Sequence, residues 1–298
     1  MVRPFTVKKS SFRKKDSVFL KTHLIFLPTS TGFARFTYKT SLAMKHILNI
    51  FLLLVFVSCG IASPKQENTK PISHATFDAL LKKHVNKEGW VNYEGFKEDR
   101  AELKKYLDLI QNNAPNDKTW SKEDRLAYWI NAYNAFTIEL ILQYYPVESI
   151  KDIGSKIQIP FVNTPWDIKF IKIGVKEMDL KNIEHSILRK EFNEPRIHFA
   201  INCASYSCPV LRAEAYTGAK IDQQLKEQAI SFVNDERRNK ITSTSAQLSK
   251  LFDWYSGDFT KNKNLKDFIN QFAKVKIADK TKVSYIDYDW RLNDSKDF

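Results

Sequence analysis

The residues most capable of chemistry fall in one short segment, residues 196–209, with the sequence RIHFAINCASYSCP. This segment holds Cys203 and Cys208 together with a histidine and several hydroxyl groups. A cysteine thiolate attacks carbonyl carbons once a base has taken its proton, whereas two neighbouring cysteines can form a disulfide. The segment therefore predicts either a thiol nucleophile at Cys203 or a Cys203–Cys208 disulfide.

Two histidines could serve as the base for such a thiol. Apolar residues alternate with other types over residues 197–202, which predicts a strand that ends at the cysteines. His198 and Cys203 are five positions apart, so a regular strand would place their side chains on opposite faces. His185 belongs to a preceding predicted helix that can pack over the strand. We therefore favour His185 as the base and expect a hydrogen-bonded structural role for His198.

Other polar residues could assist the thiol or bind its substrate. Asn131 and Asn134 share one face of a predicted helix and could orient the base or stabilise an oxyanion, or could tie the helix to nearby backbone. Glu184 directly precedes His185, and neighbours diverge on an α-helix, so this pair is not expected to act together. The residues assigned to binding are His198, Asn202, Ser205, Ser207, Arg189 and Trp254.

Sequence motifs for metals and cofactors are missing. The four-residue spacing between Cys203 and Cys208 is not that of a zinc finger, and no closely spaced histidine pair accompanies it. The chain has eight glycines and contains neither a P-loop nor a Gly-x-Gly-x-x-Gly segment. No Gly-x-Ser-x-Gly elbow surrounds a serine. We expect no metal and no cofactor.

The positive charge of the chain is concentrated near its beginning. The formal net charge is +13, but residues 1–62 hold ten Lys or Arg and one acid, and residues 63–298 hold 37 bases against 33 acids. Attraction to nucleic-acid phosphates requires a basic face rather than a small dispersed surplus. Nucleic acid is therefore not an expected partner.

A secretory signal explains the uneven charge. Met44 begins a short cationic start, followed by an apolar run over residues 47–57 and then small residues, which is typical of a signal peptide. Cys59 resembles the lipidated cysteine of bacterial lipoproteins, and cleavage after Ala62 is the alternative. We predict an upstream extension over residues 1–43 that is not part of the natural protein, a signal over 44–62, a linker over 63–72 and one globular domain over 73–298.

The order of periodic segments predicts an α+β fold. Helices come first, and the longest begins at a Ser121 cap and is apolar on nearly all sides. Short alternating segments follow, including a hairpin around residues 173–174 and strands over 241–248 and 283–290. Because helices and strands do not alternate regularly, we expect N-terminal helices and a long buried central helix packed on a mainly antiparallel sheet.

Four blocks in this order resemble the bacterial and plant domain catalogued as domain-of-unknown-function family 547. They are YWINAYNAFTI at 128–138, IEHSILR at 183–189, RIHFAINCASYSCP at 196–209 and FDWYSGDF at 252–259. The resemblance covers about residues 75–290 and implies an exported or lipid-anchored envelope protein. The order of elements is also similar to papain-like and transglutaminase-like folds. In those folds the nucleophilic cysteine begins the long helix, which here contains no cysteine.

Two functions stay open for this exported cell-envelope domain. The first is a thiol-dependent hydrolase or transferase of amide or peptide bonds, in which Cys203 attacks, His185 takes its proton and Asn131 or Asn134 orients or stabilises. The second is a non-catalytic binding or scaffolding module with a Cys203–Cys208 disulfide. The expected partner is an envelope peptide, glycan or protein, and the chain reaches the membrane through a lipid on Cys59 or an uncleaved signal anchor.

Overall fold

The computed structural model of the chain describes residues 63–154 and 164–298. The predicted extension and signal, residues 1–43 and 44–62, lie outside the described residues. Residues 63–72, predicted as a linker, contact the domain: the Ser63 hydroxyl donates to Glu191 Oε2 over 3.0 Å, and Thr69 donates to the Ala114 carbonyl over 2.8 Å. Within the described ranges, no helix is both long enough and apolar enough to cross a membrane.

Helices are the predominant secondary structure of the described residues. They are Ala75–His84 (α1), Tyr93–Glu98 (α2), Arg100–Gln111 (α3), Lys122–Tyr144 (α4), the π-helix Asn182–Leu188 (α5), Ile221–Val233 (α6), Leu251–Trp254 (α7), Ser256–Phe259 (α8) and Leu265–Asn270 (α9). A final α-helical turn, Arg189–Glu191, continues α5. Short 3₁₀ turns include Pro195–Phe199 and Gly218–Lys220.

Helix α4 lies at the centre of the domain, as predicted from a sequence that is apolar on nearly all sides. The Ser121 side chain accepts a hydrogen bond from the Asp124 backbone N–H over 3.0 Å, which caps the first turn. Every residue from Leu126 to Leu142 is buried. The elements packed against α4 are mainly helices, among them α2, α3, α5 and the Gly218–Lys220 turn. The domain is α+β, as predicted, although α4 packs on helices more than on a sheet.

The strands form two small sheets. Ile171–Ile173 (β1) and Lys176–Met178 (β2) make the predicted antiparallel hairpin. Lys240–Ile241 (β3) pairs antiparallel with Ala246–Ser249 (β4), and β4 pairs parallel with Val283–Ile286 (β5). The prediction of one strand over residues 241–248 is therefore wrong, because residues 242–245 turn the chain back on itself.

The strand predicted over residues 197–202 does not form: Pro195–Phe199 is a 3₁₀ turn, and residues 200–202 follow it as irregular chain. Pro195 begins this turn, and the Glu194 side chain accepts a hydrogen bond from the Arg196 backbone N–H over 3.1 Å. Both features favour a helical start over a strand. Ile197 belongs to the apolar core around α4, whereas Phe199 belongs to a second core beneath β4 and α8. The apolar alternation thus reflects burial on two sides of a turn, not one face of a sheet.

Candidate functional site

One pocket of about 240 Å³ collects most of the chemically capable residues. It lies between α5, the cysteine segment, α7 and the chain that follows β5. Its walls are formed by Tyr133, Thr164, Trp166, Lys181, Glu184, His185, His198, Ile201, Cys203, Cys208, Pro209, Leu251, Trp254, Tyr255, Tyr288 and Trp290. A concave site that is mostly apolar and has a few convergent polar groups is typical of a ligand or active site.

The two cysteines of the pocket are in direct contact. Their sulfur atoms lie 2.6 Å apart, and the backbone N–H of Cys203 donates to Cys208 Sγ over 2.7 Å. Both cysteines are free; Cys203 is partly exposed and Cys208 is buried. The hydroxyls of Ser205 and Tyr288 lie 3.2 and 3.3 Å from Cys203 Sγ. Cys203 is therefore the sulfur that a molecule in the pocket would meet first.

These contacts separate the acidities of the two thiols. Removal from bulk water acts to raise the pKa of Cys203, but hydrogen bonds from Cys208, Ser205 and Tyr288 outweigh it, and the pKa of Cys203 is lowered. Burial and the neighbouring Cys203 raise the pKa of Cys208 well above its ordinary value. A thiolate is the reactive form of cysteine, so this asymmetry favours reaction at Cys203.

Two asparagines hold the backbone that carries Cys203. Asn134 on α4 accepts from the Asn202 backbone N–H over 2.8 Å and donates to the Ala200 carbonyl over 3.0 Å. Asn202 in turn donates to the Pro209 carbonyl over 2.7 Å and accepts from the Ala204 N–H over 2.9 Å. Ala204 has φ +59°, an uncommon conformation for a residue with a Cβ. The side chain of Asn202 therefore closes a tight loop over residues 202–209.

A buried arginine donates hydrogen bonds to the loop over residues 202–209. Arg238 is 3 % exposed and donates to the carbonyls of Cys208 and Tyr206 over 2.6 and 2.9 Å. Its guanidinium also pairs with Asp235. The chain after β5 adds backbone hydrogen bonds, from the Tyr206 N–H to the Arg291 carbonyl over 2.8 Å and from the Asn293 N–H to the Ala204 carbonyl over 3.2 Å.

Across the pocket, a carboxylate joins an arginine to a histidine. Asp258 accepts from Arg189 Nε and Nη2 over 2.6 and 3.0 Å, and its Oδ2 lies 2.7 Å from His198 Nε2. Burial acts to raise the pKa of Asp258, but these hydrogen bonds outweigh it and hold that pKa well below its usual range. An ionised Asp258 accepts the Nε2–H of His198, which leaves Nδ1 as the basic nitrogen.

His185 has the opposite tautomer. Arg189 Nη1 lies 2.9 Å from His185 Nδ1, and because a guanidinium can only donate, Nδ1 must accept and Nε2 carries the proton. Burial, assisted by the charge of Arg189, lowers the pKa of His185, although the charge of Glu184 acts the other way. His185 is therefore neutral near pH 7 and presents an N–H donor at Nε2, 3.9 Å from Glu184 Oε1.

Glu184 and His185, which were not expected to act as a pair, both line the pocket, and His185 Nε2 lies 3.9 Å from Glu184 Oε1, beyond hydrogen-bond distance. They belong to the π-helix Asn182–Leu188. The Tyr255 hydroxyl donates to Glu184 Oε1 over 2.5 Å, and its ring stacks on His198 with the ring centroids 3.9 Å apart. Single-turn π segments occur frequently at functional sites.

Aromatic side chains form the outer wall of the pocket. Trp254, which is 48 % exposed, stacks on Trp290 with centroids 5.8 Å apart. Tyr288 lies against both tryptophans at 4.8 and 4.5 Å, and Trp166 meets Trp290 edge-on at 5.8 Å. These contacting rings thus form a continuous aromatic surface in the same pocket as Cys203.

The predicted site residues separate into three groups. Cys203, His185, His198 and Trp254 line the pocket. Asn134, Asn202, Ser205 and Arg189 contact the lining residues or hold their backbone. Asn131 and Ser207 lie outside the pocket lining. The Asn131 side chain is bonded to the Tyr216 N–H and carbonyl over 3.0 and 2.7 Å, and the Ser207 hydroxyl accepts from the Asp289 N–H over 2.9 Å.

Sequence reasoning did not identify Glu184, Tyr255, Asp258, Tyr288 and Trp290 as site residues. Asp258 and Tyr255 fall in the aromatic block 252–259, whose density of aromatic and acidic residues was the available signal. Nothing in the sequence links Tyr288 to Cys203, which precedes it by 85 positions. In the part of the chain that the structure describes, no three His, Cys, Asp or Glu side chains converge as metal ligands would.

Comparison with known proteins identifies a family but no characterised relative. Residues 118–233 match the model of the family described as "Protein of unknown function, DUF547". No curated protein matches the chain, and no solved structure matches it. The matched segment spans α4, α5, the cysteine loop and α6, whereas the block at 252–259 that supplies Asp258 lies beyond it. Over residues 118–233, the chain is therefore similar to the DUF547 family.

Proposed function

We propose that this domain is a thiol-dependent hydrolase or transferase of amide or peptide bonds, with Cys203 as the nucleophile. The observation that carries this proposal is the position of Cys203 Sγ, in an open pocket and within 3.3 Å of the hydroxyls of Ser205 and Tyr288 and of the second thiol. Hydroxyl and thiol donors around a sulfur favour its thiolate, which is the attacking form.

We propose His198, oriented by Asp258, as the proton acceptor in place of the predicted His185. The Asp258 carboxylate fixes the Nε2–H of His198 and leaves Nδ1 able to accept, whereas Arg189 occupies the acceptor nitrogen of His185. An aspartate also fixes the tautomer of the catalytic histidine in the hydrolytic triads, although there it accepts from Nδ1–H and leaves Nε2 as the base. His185 was favoured over His198 because a strand over residues 197–202 would separate His198 from Cys203, and that strand does not form.

The reaction would proceed in two balanced steps. The Cys203 sulfur attacks the carbonyl carbon, a thioester forms, the C–N bond breaks, and the departing amine takes the proton that His198 received from the thiol. Water, or a second amine in a transferase, then attacks the thioester carbon. His198 accepts the proton of this second nucleophile and returns it to the Cys203 sulfur.

p-Nitrophenyl acetate tests this proposal, because an activated ester acylates a thiolate without needing the natural substrate. We expect intact and peptide mass spectra to show one acetyl group on Cys203 and release of p-nitrophenolate. Cys203→Ser should abolish the adduct and Cys208→Ser should keep it. His198→Gln should slow turnover by about 10²-fold, in the range for loss of a general base, while His185→Gln should change it little.

Several outcomes would contradict the assignment. Acetylation of Cys208 instead of Cys203, or an adduct of equal size in Cys203→Ser, would remove Cys203 as the nucleophile. If His185→Gln lost turnover while a folded His198→Gln protein kept it, His185 would be the base. Near-ultraviolet circular dichroism of each variant separates loss of chemistry from loss of folding.

A second function is favoured by the 2.6 Å separation of the two sulfur atoms. Oxidation would join them at about 2.05 Å with little movement of the chain. In that case the domain is a binding or scaffolding module stapled by a Cys203–Cys208 disulfide, and the pocket holds a ligand without reacting. Protein purified without reductant distinguishes the two functions, because the disulfide yields a linked 203–208 peptide and no thiol titre at Cys203.

We also propose that the domain is exported and anchored in the cell envelope. The support is the signal-like segment that begins at Met44 and the lipoprotein-like cysteine, Cys59. Metabolic labelling with a fatty acid should mark the wild-type chain and fail to mark Cys59→Ala. Labelling that survives this substitution would contradict anchoring at Cys59.

A further inference from the structure

The carboxylate of Glu184 is buried in the pocket with only part of its hydrogen-bonding capacity used. Glu184 is 5 % exposed, and its Oε1 accepts from the Tyr255 hydroxyl over 2.5 Å. His185 Nε2 approaches the same oxygen at 3.9 Å. Among the described residues, no group donates a hydrogen bond to Oε2 of this carboxylate. A buried charge is stable when it is paired, so Glu184 has the environment of a ligand-binding group.

The nearby cations are already paired with other acids. Arg189 makes its two-pronged contact with Asp258, and Lys181 at the pocket wall holds Asp167 Oδ1 over 2.8 Å. His185 is neutral near pH 7, as described above. Among the described residues, no Lys or Arg forms an ion pair with Glu184, although the charge of Arg189 acts on it at longer range, and a positively charged ligand would supply a direct partner.

The aromatic wall favours the same kind of ligand. The faces of Trp and Tyr rings attract cations, most strongly when water is excluded, and also pack against methylene groups. Trp254, Tyr288 and Trp290 line the same pocket as Glu184, and Tyr255, the chain neighbour of Trp254, donates its hydroxyl to Glu184. The pocket volume of about 240 Å³ is below the range of about 300–1,000 Å³ of drug-sized sites. It suits a single side-chain-sized group.

We propose that this pocket binds the alkylammonium group of an amine or a lysine side chain, with the ammonium at Glu184 and the methylene chain along the aromatic wall. This inference rests on the proposed function, because it names the substrate class presented to Cys203. In a hydrolase the group belongs to the peptide being cleaved, and in a transferase to the amine that receives the acyl group.

Two probes that share a four-carbon side chain and differ in the terminal ammonium test the inference, Nα-acetyl-lysine methylamide and Nα-acetyl-norleucine methylamide. They are titrated calorimetrically into Cys203→Ser protein, so that no covalent step contributes. We expect the lysine probe to bind about tenfold more tightly, which corresponds to the roughly 1.4 kcal/mol of a partly desolvated cation interaction. Glu184→Gln should abolish this preference. Glu177→Gln, which alters an exposed carboxylate on β2, should preserve it.

Three results would overturn the inference. They are equal or tighter binding of the norleucine probe, binding of neither probe, and a lysine preference that survives Glu184→Gln. If Glu184→Gln fails to fold, Trp254→Ala at the exposed end of the wall provides the second test, and it should weaken binding of the lysine probe. The acetylation of Cys203 by p-nitrophenyl acetate does not depend on Glu184. A failure of the ammonium site is therefore distinguishable from a failure of the proposed chemistry.

Discussion

Replacing Arg238 with methionine is expected to lower the free energy of unfolding by about 3–5 kcal/mol, the range for breaking a buried ion pair. Arg238 is almost fully buried, and its loss leaves the carbonyls of Tyr206 and Cys208 without their donors, each at a cost of about 1–3 kcal/mol. Methionine retains most of the volume, so the effect reports lost polar contacts more than a cavity. Urea denaturation measures it.

The adjacent arginine is a matched control. Arg237 shares the partner Asp235 through a 2.7 Å contact but is about one-third exposed. Exposed ion pairs contribute about 0–1 kcal/mol, so Arg237→Met should have a small effect. Equal losses of stability in the two variants would show that Arg238 does not support the cysteine loop as described.

Asn134→Ala and Asn131→Ala should cost similar stability but differ in their effect on Cys203. Each removal leaves one backbone N–H and one carbonyl unpaired inside the protein, and we expect a loss of about 2–4 kcal/mol in both variants. Only Asn134 contacts the backbone at residues 200–202, immediately before Cys203. Asn134→Ala should therefore slow alkylation of Cys203, and Asn131→Ala should leave the rate unchanged.

Measuring both quantities in both variants separates a scaffolding role from a catalytic one. If Asn131→Ala slowed Cys203 alkylation as much as Asn134→Ala, the effect of Asn134 on Cys203 would not depend on its hydrogen bonds to the backbone at residues 200–202. If either variant kept full stability, the two-bond attachment would not hold the chain as the structure indicates.

Elements governed by local rules were predictable from the sequence. The cap at Ser121, the limits of the helix Ile221–Val233 and the hairpin of β1 and β2 follow from side-chain periodicity and turn chemistry. The strand predicted over residues 197–202 failed for a non-local reason. Its apolar residues alternate because they enter two separate cores, and periodicity cannot distinguish that from one face of a sheet.

The candidate site was predictable only in part. The sequence points to Cys203 and to two histidines, and all three line one pocket. Two partners of these residues come from distant segments of the chain. The Asp258 carboxylate that hydrogen-bonds His198 lies 60 positions from it, and the Tyr288 hydroxyl beside the Cys203 thiol lies 85 positions from that cysteine. Glu184 and His185 lie on a π-helix, which no propensity rule anticipates.

The most direct test of the reactive thiol is the rate of iodoacetamide alkylation of Cys203 as a function of pH. The protein is reduced and desalted beforehand, and peptide mapping separates Cys203 from Cys208. Because the pKa of Cys203 is lowered from 9.0, its thiolate should form, and its alkylation rise, at a lower pH than for an ordinary cysteine. Tyr288→Phe removes a donor to the thiolate and should move that rise to higher pH. We expect selective alkylation of Cys203 near neutral pH while Cys208 stays protected. A rise at or above pH 9.0, or preferential reaction of Cys208, would contradict a nucleophilic Cys203.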